Sequence, residues 1–555
     1  MPFRFQLSPL NAVALFIAAA MCVPIAAVVL NLMAPASPAW PHLASTVLPR
    51  YALNTALLGL IVASGVLVLG TSLAWLTVAC DFPGRRIFDW ALILPLAVPA
   101  YVMAYAYTDF LQVGGPLQTV LRELTGWHVG DYWFPRIRSL GGAATMLIFV
   151  LYPYVYLLAR ATFLEQSAAP LEVARSLGAG PWGTFFRVAL PLARPALAGG
   201  VALALMETLA DFGTVSYFGV QTFTTGIYRA WFSLGDPIAA SQLASLLLAA
   251  VATVLIAEQL TRGRARTHHT SKRHHPPPRS TLNGLAATGA ILICVLPLLI
   301  GFIGPIAILG HLAFTSTATL TFPRFIDISL ASVTLAGIAS AGAVVLALII
   351  VFAARDAQNR LGRAARTLAG LGYAVPGSII AVGILVPLAA LDRTIDAFAR
   401  THWGHGTGLI FTGSIAALVY ACMVRFLAPA IQGEAASLAR IPRAAEDSAR
   451  VLGLGAFETL LRVHMPMMRA SLITAALIVF VDVLKELPAT ILMRPFNFTT
   501  LAVEAYNLAS DERLGEAAGV ALVIVAVALL PVIIMARRIA KHRTADEDVT
   551  PEAVV

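Results

Sequence analysis

The segment Glu172-Val-Ala-Arg-Ser-Leu-Gly178 returns later in the chain as Asp447-Ser-Ala-Arg-Val-Leu-Gly453, and each copy is followed thirteen residues after its glycine by a proline, Pro191 or Pro466. Adding 275 to a first-copy number gives its partner: Ala174 and Ala449, Arg175 and Arg450, Gly180 and Gly455, Arg187 and Arg462, Arg194 and Arg469. The register survives to Phe223-Thr-Thr225 and Phe498-Thr-Thr500. Two polar loops held in step over about fifty residues require a duplicated fold, with one such loop in each half.

What surrounds the loops decides the solvent. Of the 555 residues, 59% are apolar and 12% charged, with a mean hydropathy of +0.81. A water-soluble fold of that length would expose too much apolar surface, so most of the chain is expected in lipid. Windows of about 20 residues pick out roughly twelve apolar spans. They fall near 11–33, 52–79, 88–110, 142–164, 196–217, 238–260, 284–313, 329–353, 368–390, 408–432, 470–492 and 515–536. The fold class is therefore an all-α polytopic membrane protein of two pseudo-symmetric six-helix halves. The first span follows Arg4 as a signal peptide would, but Ala12–Leu32 is long enough to cross, and twelve divides into two sixes only if it is retained.

The formal charge of +9 does not point to nucleic acid, because the basic residues collect in alternate loops. Arg85 and Arg86, Arg175 and Arg187, Arg355 to Arg366, Arg440 to Arg462 and Arg537 to Arg543 mark one side, whereas the loops near 34–51, 218–237 and 493–514 carry few. This is the positive-inside pattern, and it places both termini and both repeated loops in the cytoplasm. Cys22, Cys80, Cys294 and Cys422 lie singly in or beside apolar spans, with no Cys-x-x-Cys pair, and read as packing residues. The stretch Arg262–Ser280 has three consecutive prolines and two His-His pairs, and reads as a solvated basic linker rather than a metal site. The expected organisation is a first half at 1–261 with its loop at 165–195, a linker at 262–282, a second half at 283–540 with its loop at 433–469, and a polar tail at 541–555. Val98-Pro99-Ala100 and Val375-Pro376-Gly377 recur at an offset of 277, within the third and ninth spans.

Inside each loop, Leu171–Leu177 and Ala444–Leu452 have helical spacing, and Gly178, Gly180, Gly453 and Gly455 supply a chain reversal. Pro191 and Pro466 are expected near the start of the next membrane helix, where a missing N–H costs little. A helix–turn–helix made twice is shaped for twin pockets on a two-fold partner.

At these residues the chain resembles the permease subunits of bacterial ABC importers of the type I fold. In that family the cytoplasmic loop reads Glu-Ala-Ala, three residues, glycine, then about nine residues before Ile-x-Leu-Pro. Here it reads Glu172-Val-Ala174, Gly178 and Val188-Ala-Leu-Pro191, then Asp447-Ser-Ala449, Gly453 and Val463-His-Met-Pro466. The departures are Val173, Ser448 and Asp447. The resemblance implies that Glu172, Ala174, Gly178, Pro191, Asp447, Ala449, Gly453 and Pro466 couple to a separate ABC ATPase, a homodimer, and that a periplasmic substrate-binding protein delivers the solute at a bacterial inner membrane. Glu207 to Gly219, Phe223 to Tyr228, Lys485 to Thr490 and Arg494 to Thr499 look in addition like fused ferric-iron permeases. Thiamine and phosphonate-type permeases share the architecture and remain alternatives.

The chemistry is that of a transport subunit. Its three lysines, Lys272, Lys485 and Lys541, never follow glycine, so the chain has no phosphate-binding Gly-Lys-Ser/Thr loop; no cofactor is expected on it, and ATP belongs to the partner. Glu207 and Asp211, with Asp482 and Glu486 at the matching positions, are four apart and are expected to share a helix face within the membrane. Counting about 1.5 Å per residue from Pro191 puts Glu207 roughly 24 Å along, past the middle of a core about 30 Å thick. Carboxylates at that depth usually face a pathway or a partner, so the four acids are candidate pathway residues and weak, transient cation ligands. The competing reading is structural: Lys485 neutralises an acid, and the others cap or hydrogen-bond broken backbone. Tyr152, Tyr154 and Tyr156 read as packing, and Trp127, Tyr132 and Trp133 as a membrane-surface belt. A secondary transporter is the principal rival, but it has no need of paired docking loops.

Overall fold

The computed structural model describes residues 9–33, 35–165, 170, 173–174, 176–178, 180–262, 279–316, 321–355 and 359–547. Most of the linker, Glu172 and Arg175 lie outside them. Among the described residues, eleven helices are long and apolar enough to cross a membrane. They are α1 (Pro9–Met33), α2 (Leu48–Ala79), α3 (Leu140–Leu164), α4 (Trp182–Ala210), α5 (Pro237–Thr261), α6 (Leu285–Thr315), α7 (Phe322–Ala353), α8 (Gly377–Trp403), α9 (Ile415–Leu438), α10 (Phe457–Leu484) and α11 (Leu514–Ile534). A bent pair, Arg85–Ala97 and Ala100–Thr125, meets at 90° and makes a twelfth span if the two segments are taken together.

That bend corrects the expectation of an unbroken span at 88–110. Proline disfavours the α conformation in the residue before it. Val98 is accordingly extended, with ψ 114°, and Pro99 with ψ 141° opens the next helix. The repeated Val-Pro does the same in the other half, where Val375 has ψ 125° and Pro376 ψ 140°, so α8 starts at Gly377 rather than near 368.

Pro191 and Pro466 stand second in the α-helical stretches Leu190–Ala210 and Met465–Leu484, near a helix start as expected, but each stretch continues a rod that begins earlier. Both lie inside continuous rods, because a wide i→i+5 turn precedes each. Leu190 N donates to Phe185 O before Pro191, and Met465 N to Leu460 O before Pro466. A proline ring normally collides with the carbonyl four residues back, and the wider turn relieves it. α4 and α10 therefore begin more than ten residues before the expected 196 and 470, and end at Ala210 and Leu484. Prolines elsewhere are served by other helices. Pro24 leaves the Ala20 carbonyl of α1 without its helical donor, and the Tyr420 hydroxyl of α9 donates to it.

Close contacts group the chain into two compact units that cut across the sequence halves. One comprises Met1–Ser45, Gly226–Leu248 and Leu320–Glu504. In it α7, α9 and α10 pack mutually, and α1 lies along α8 and the short helix Arg360–Ala369. The other comprises Thr46–Thr225, Ala249–Thr319 and Ala505–Val555, in which α2, α3 and α4 pack mutually and α6 lies along α11. Tyr152 and Tyr156, one turn apart on α3, are fully buried there. Their hydroxyls donate to Leu92 O at 2.9 Å and Asp89 O at 3.0 Å, holding the segment that leads into the bend.

Candidate coupling loops and acidic helix ends

The second motif loop is a helix, Arg443–Val451, closed by Gly453 at φ 80°. Leu454 N donates to Ala449 O at 3.0 Å and Gly453 N to Arg450 O at 2.9 Å, the paired bonds that end a helix on a left-handed residue. Gly178 in the first loop has φ 84°, so the same reversal is built there. Ala449 is buried and anchors the helix, whereas Asp447 is exposed and pairs with Arg450 at 3.3 Å. Ala174 is half-buried; Glu172 falls outside the described residues. Beside each glycine the two loops expose large apolar side chains at matching positions. Leu177 and Leu452 are 81% and 79% exposed, and Trp182 and Phe457 are 73% and 70% exposed. Apolar groups presented twice in this way suit a surface that another protein covers.

At the far ends of α4 and α10 the structure separates the acids that the sequence pairs. Both helices stop between them, so neither pair shares a helix face. Asp211, with ψ 128°, lies beyond α4, and its carboxylate accepts from Val215 N at 3.0 Å and Thr214 Oγ1 at 2.9 Å, capping the short helix Gly213–Tyr217. Glu207 remains on α4, half-buried. In the other unit Asp482 pairs with Lys485 at 2.9 Å. Glu486, beyond the end of α10, accepts from Ala489 N at 2.7 Å at the head of Pro488–Met493 and pairs with Arg425 of α9 at 3.0 Å. Asp482 beside Lys485, and Asp211 and Glu486 capping broken backbone, are contacts of the kind the structural alternative expects.

Arg425 escaped the sequence reading, though its presence inside an apolar span was a signal. It and Glu486 are 7% and 5% exposed. A β-carbon on Gly377 would stand 2.6 Å from Arg425 Nη1 and 2.6 Å from Glu486 Oε1, so the first residue of α8 is glycine because the ion pair occupies that space. The matching residue of the first half is Ala100, where position 150, the counterpart of Arg425, is valine. Replacing Gly377 with alanine is expected to displace the pair and cost about 1–3 kcal/mol by overpacking. Thermal unfolding of the purified protein measures it, and an unchanged midpoint would show that the cleft has slack.

Arg85 and Arg355 were counted as topological charges and are instead joints. Arg85 is 4% exposed, donates to Thr77 O at 3.2 Å and pairs with Asp81 at 3.0 Å and Asp89 at 3.7 Å, and Asp89 lies 3.6 Å from Arg160. Arg355 holds Glu446 of the second loop helix at 2.7 Å.

Comparison with known proteins decides the family. The profile of the binding-protein-dependent transport system inner membrane component matches residues 66–263 and again 346–544, once in each half. The chain belongs to this family. It is thus a multi-pass membrane permease of an ABC importer, a transport component without catalytic chemistry of its own, working with ATPase and substrate-binding partners. The permease is similar to a Haemophilus influenzae protein described as an Fe(3+)-transport system permease, 24% identical over 87% of this chain and 88% of that one. Over shorter stretches it is similar to a probable sulfate transport system permease of Chlorokybus atmophyticus, 37% identical over 26% of this chain and 48% of the other. It also resembles the molybdenum transport system permease of Escherichia coli, 32% identical over 35% of this chain and 86% of the other.

Proposed function

We propose that this permease carries ferric iron released by a periplasmic binding protein, by alternating access driven through its two motif loops by a separate pair of ATPase subunits. The observation that supports the substrate assignment is that the ferric relative spans both halves in one chain, 87% of this one and 88% of its own, whereas the molybdenum relative, 86% of which aligns, matches 35% of this chain. Both termini and both motif loops face the cytoplasm in this reading, and the permease itself binds no nucleotide. The halves 1–261 and 283–540 serve as the two arms of one pathway. Glu207, Asp211, Asp482 and Glu486, at the helix ends remote from the loops, are the proposed pathway acids, with Asp482 and Glu486 offset by Lys485 and Arg425, and oxygen donors suit a hard cation. Direct ligation of iron is at most transient.

A second reading is favoured by Arg425 and Lys485, which neutralise the acids of one unit. An oxyanion such as sulfate or molybdate would tolerate that arrangement.

Two measurements test the proposal. Uptake of labelled ferric iron into vesicles holding permease, ATPase and cognate binding protein is expected, and uptake of sulfate or molybdate in its place would overturn the substrate. Gly453→Val tests the loops: a branched side chain at φ 80° costs about 1–2 kcal/mol or more. The variant is expected to insert normally and lose most binding-protein-stimulated ATP hydrolysis. Full transport with normal ATPase association would remove the docking role.

A further inference from the structure

A cluster of side chains fastens the second motif loop to the membrane helices. Arg355 follows the end of α7 and is 16% exposed. Its guanidinium donates in three directions. Nη1 donates to Leu438 O, at the end of α9; Nη2 donates to Ile441 O at 2.7 Å, in the turn that follows; Nε donates to Glu446 Oε1 at 2.7 Å, in the first turn of Arg443–Val451. The same Glu446 oxygen lies 3.2 Å from Nε2 of His464, a fully buried residue of α10 whose ring packs on Phe352 of α7 at 5.3 Å. One cluster therefore joins the loop helix to the ends of α7, α9 and α10. The contacts are short and the charged groups largely shielded, and a planar fork that spends its donors on three separate acceptors leaves little rotational freedom. At an offset of 275 the first half has Cys80, Leu171 and Ala189 in these places, so the joint has no counterpart there.

We propose that Arg355, with Glu446 and His464, is the rigid joint through which displacement of the second motif loop moves α7, α9 and α10, making Arg355 a positioning residue for coupling in that half alone. This rests on the reading that the loop docks the ATPase. A loop docked on a partner delivers work to the membrane only if it moves with the helices; a loop hinged at its glycine would absorb the motion. Lysine cannot replace Arg355, since a single ammonium cannot reach carbonyls on two elements and a carboxylate on a third together.

The test uses the full complex of permease, ATPase and binding protein in proteoliposomes, with Arg355→Lys, Glu446→Gln and, as a surface-charge control, Arg366→Ala. Recovery of the ATPase with the permease is read first, then substrate moved per ATP hydrolysed. Both joint variants are expected to retain the ATPase at wild-type stoichiometry while the transport ratio falls at least tenfold; the control keeps the wild-type ratio. Glu446→Gln preserves the shape of the cluster and answers the question if Arg355→Lys fails to fold. An unchanged ratio in a folded variant overturns the joint, as does loss of the ATPase from either variant, which would make the cluster a docking element instead. Failure of the wild-type permease to retain any ATPase would sink the docking reading itself, independently of the joint.

Discussion

Glu486→Leu is expected to abolish recovery of folded permease, and addition of Arg425→Met to restore it. The two side chains meet at 3.0 Å with 7% and 5% exposure, so removing the acid strands a guanidinium among apolar helices. Breaking a buried pair from one side costs about 3–5 kcal/mol. That is a large share of a stability of about 5–15 kcal/mol. Replacing both partners with apolar groups of similar volume removes the stranded charge and is often neutral. Glu486→Gln should fall between, since its carbonyl can still accept from Ala489 N. The measurement is yield of monodisperse protein in detergent, with the melting midpoint of whatever is recovered. A full yield from Glu486→Leu alone would mean that water reaches Arg425. The same argument sets Glu486 apart from the other three acids, because it holds α9 to the head of Pro488–Met493.

How much of this was legible beforehand varies with the kind of physics involved. Apolar runs report membrane passage because burial of apolar surface in lipid is local to each window, and most span positions follow from it. Breaks are less local. Val98-Pro99 and Val375-Pro376 were visible as a repeat, yet a hydropathy window averages across them and hid the 90° bend. Pro191 and Pro466 looked like helix starts because proline tolerates that position; the wide turns that let the helices run through them have no composition signal. The motif loops were the most legible feature, since a glycine at φ 84° or 80° is demanded by the backbone itself. Ion-pair partners were the least. Arg355 reads as one more loop arginine until α9 and the loop helix are folded around it, and Glu446 sits one residue before the motif acid Asp447.

Asp211→Asn is expected to cut flux of a cationic substrate by at least tenfold while leaving folding intact, and its sign separates the two substrate classes. The donors to Asp211, among them Val215 N and Thr214 Oγ1, are neutral. Asparagine is as good a cap as aspartate, so the backbone bond to Val215 N survives and the hydroxyl of Thr214 can turn to another acceptor. The change therefore deletes charge and little else, unlike any substitution at Glu486. A unit charge about 8 Å from the solute, at an effective dielectric near 20, contributes about 2 kcal/mol. For a cation that attraction is lost, by roughly thirtyfold in rate at about 1.4 kcal/mol per factor of ten. For an oxyanion the lost term was a repulsion, so uptake of sulfate or molybdate would hold or rise. Lys485→Met supplies the opposite manipulation by freeing Asp482 from its 2.9 Å partner, and is expected to shift a cation and an anion in the reverse directions. Uptake by vesicles loaded with the wild-type ATPase, measured for each solute with each variant, reads both signs. Indifference of every solute to Asp211→Asn would confine that carboxylate to capping Gly213–Tyr217 and remove it from the pathway.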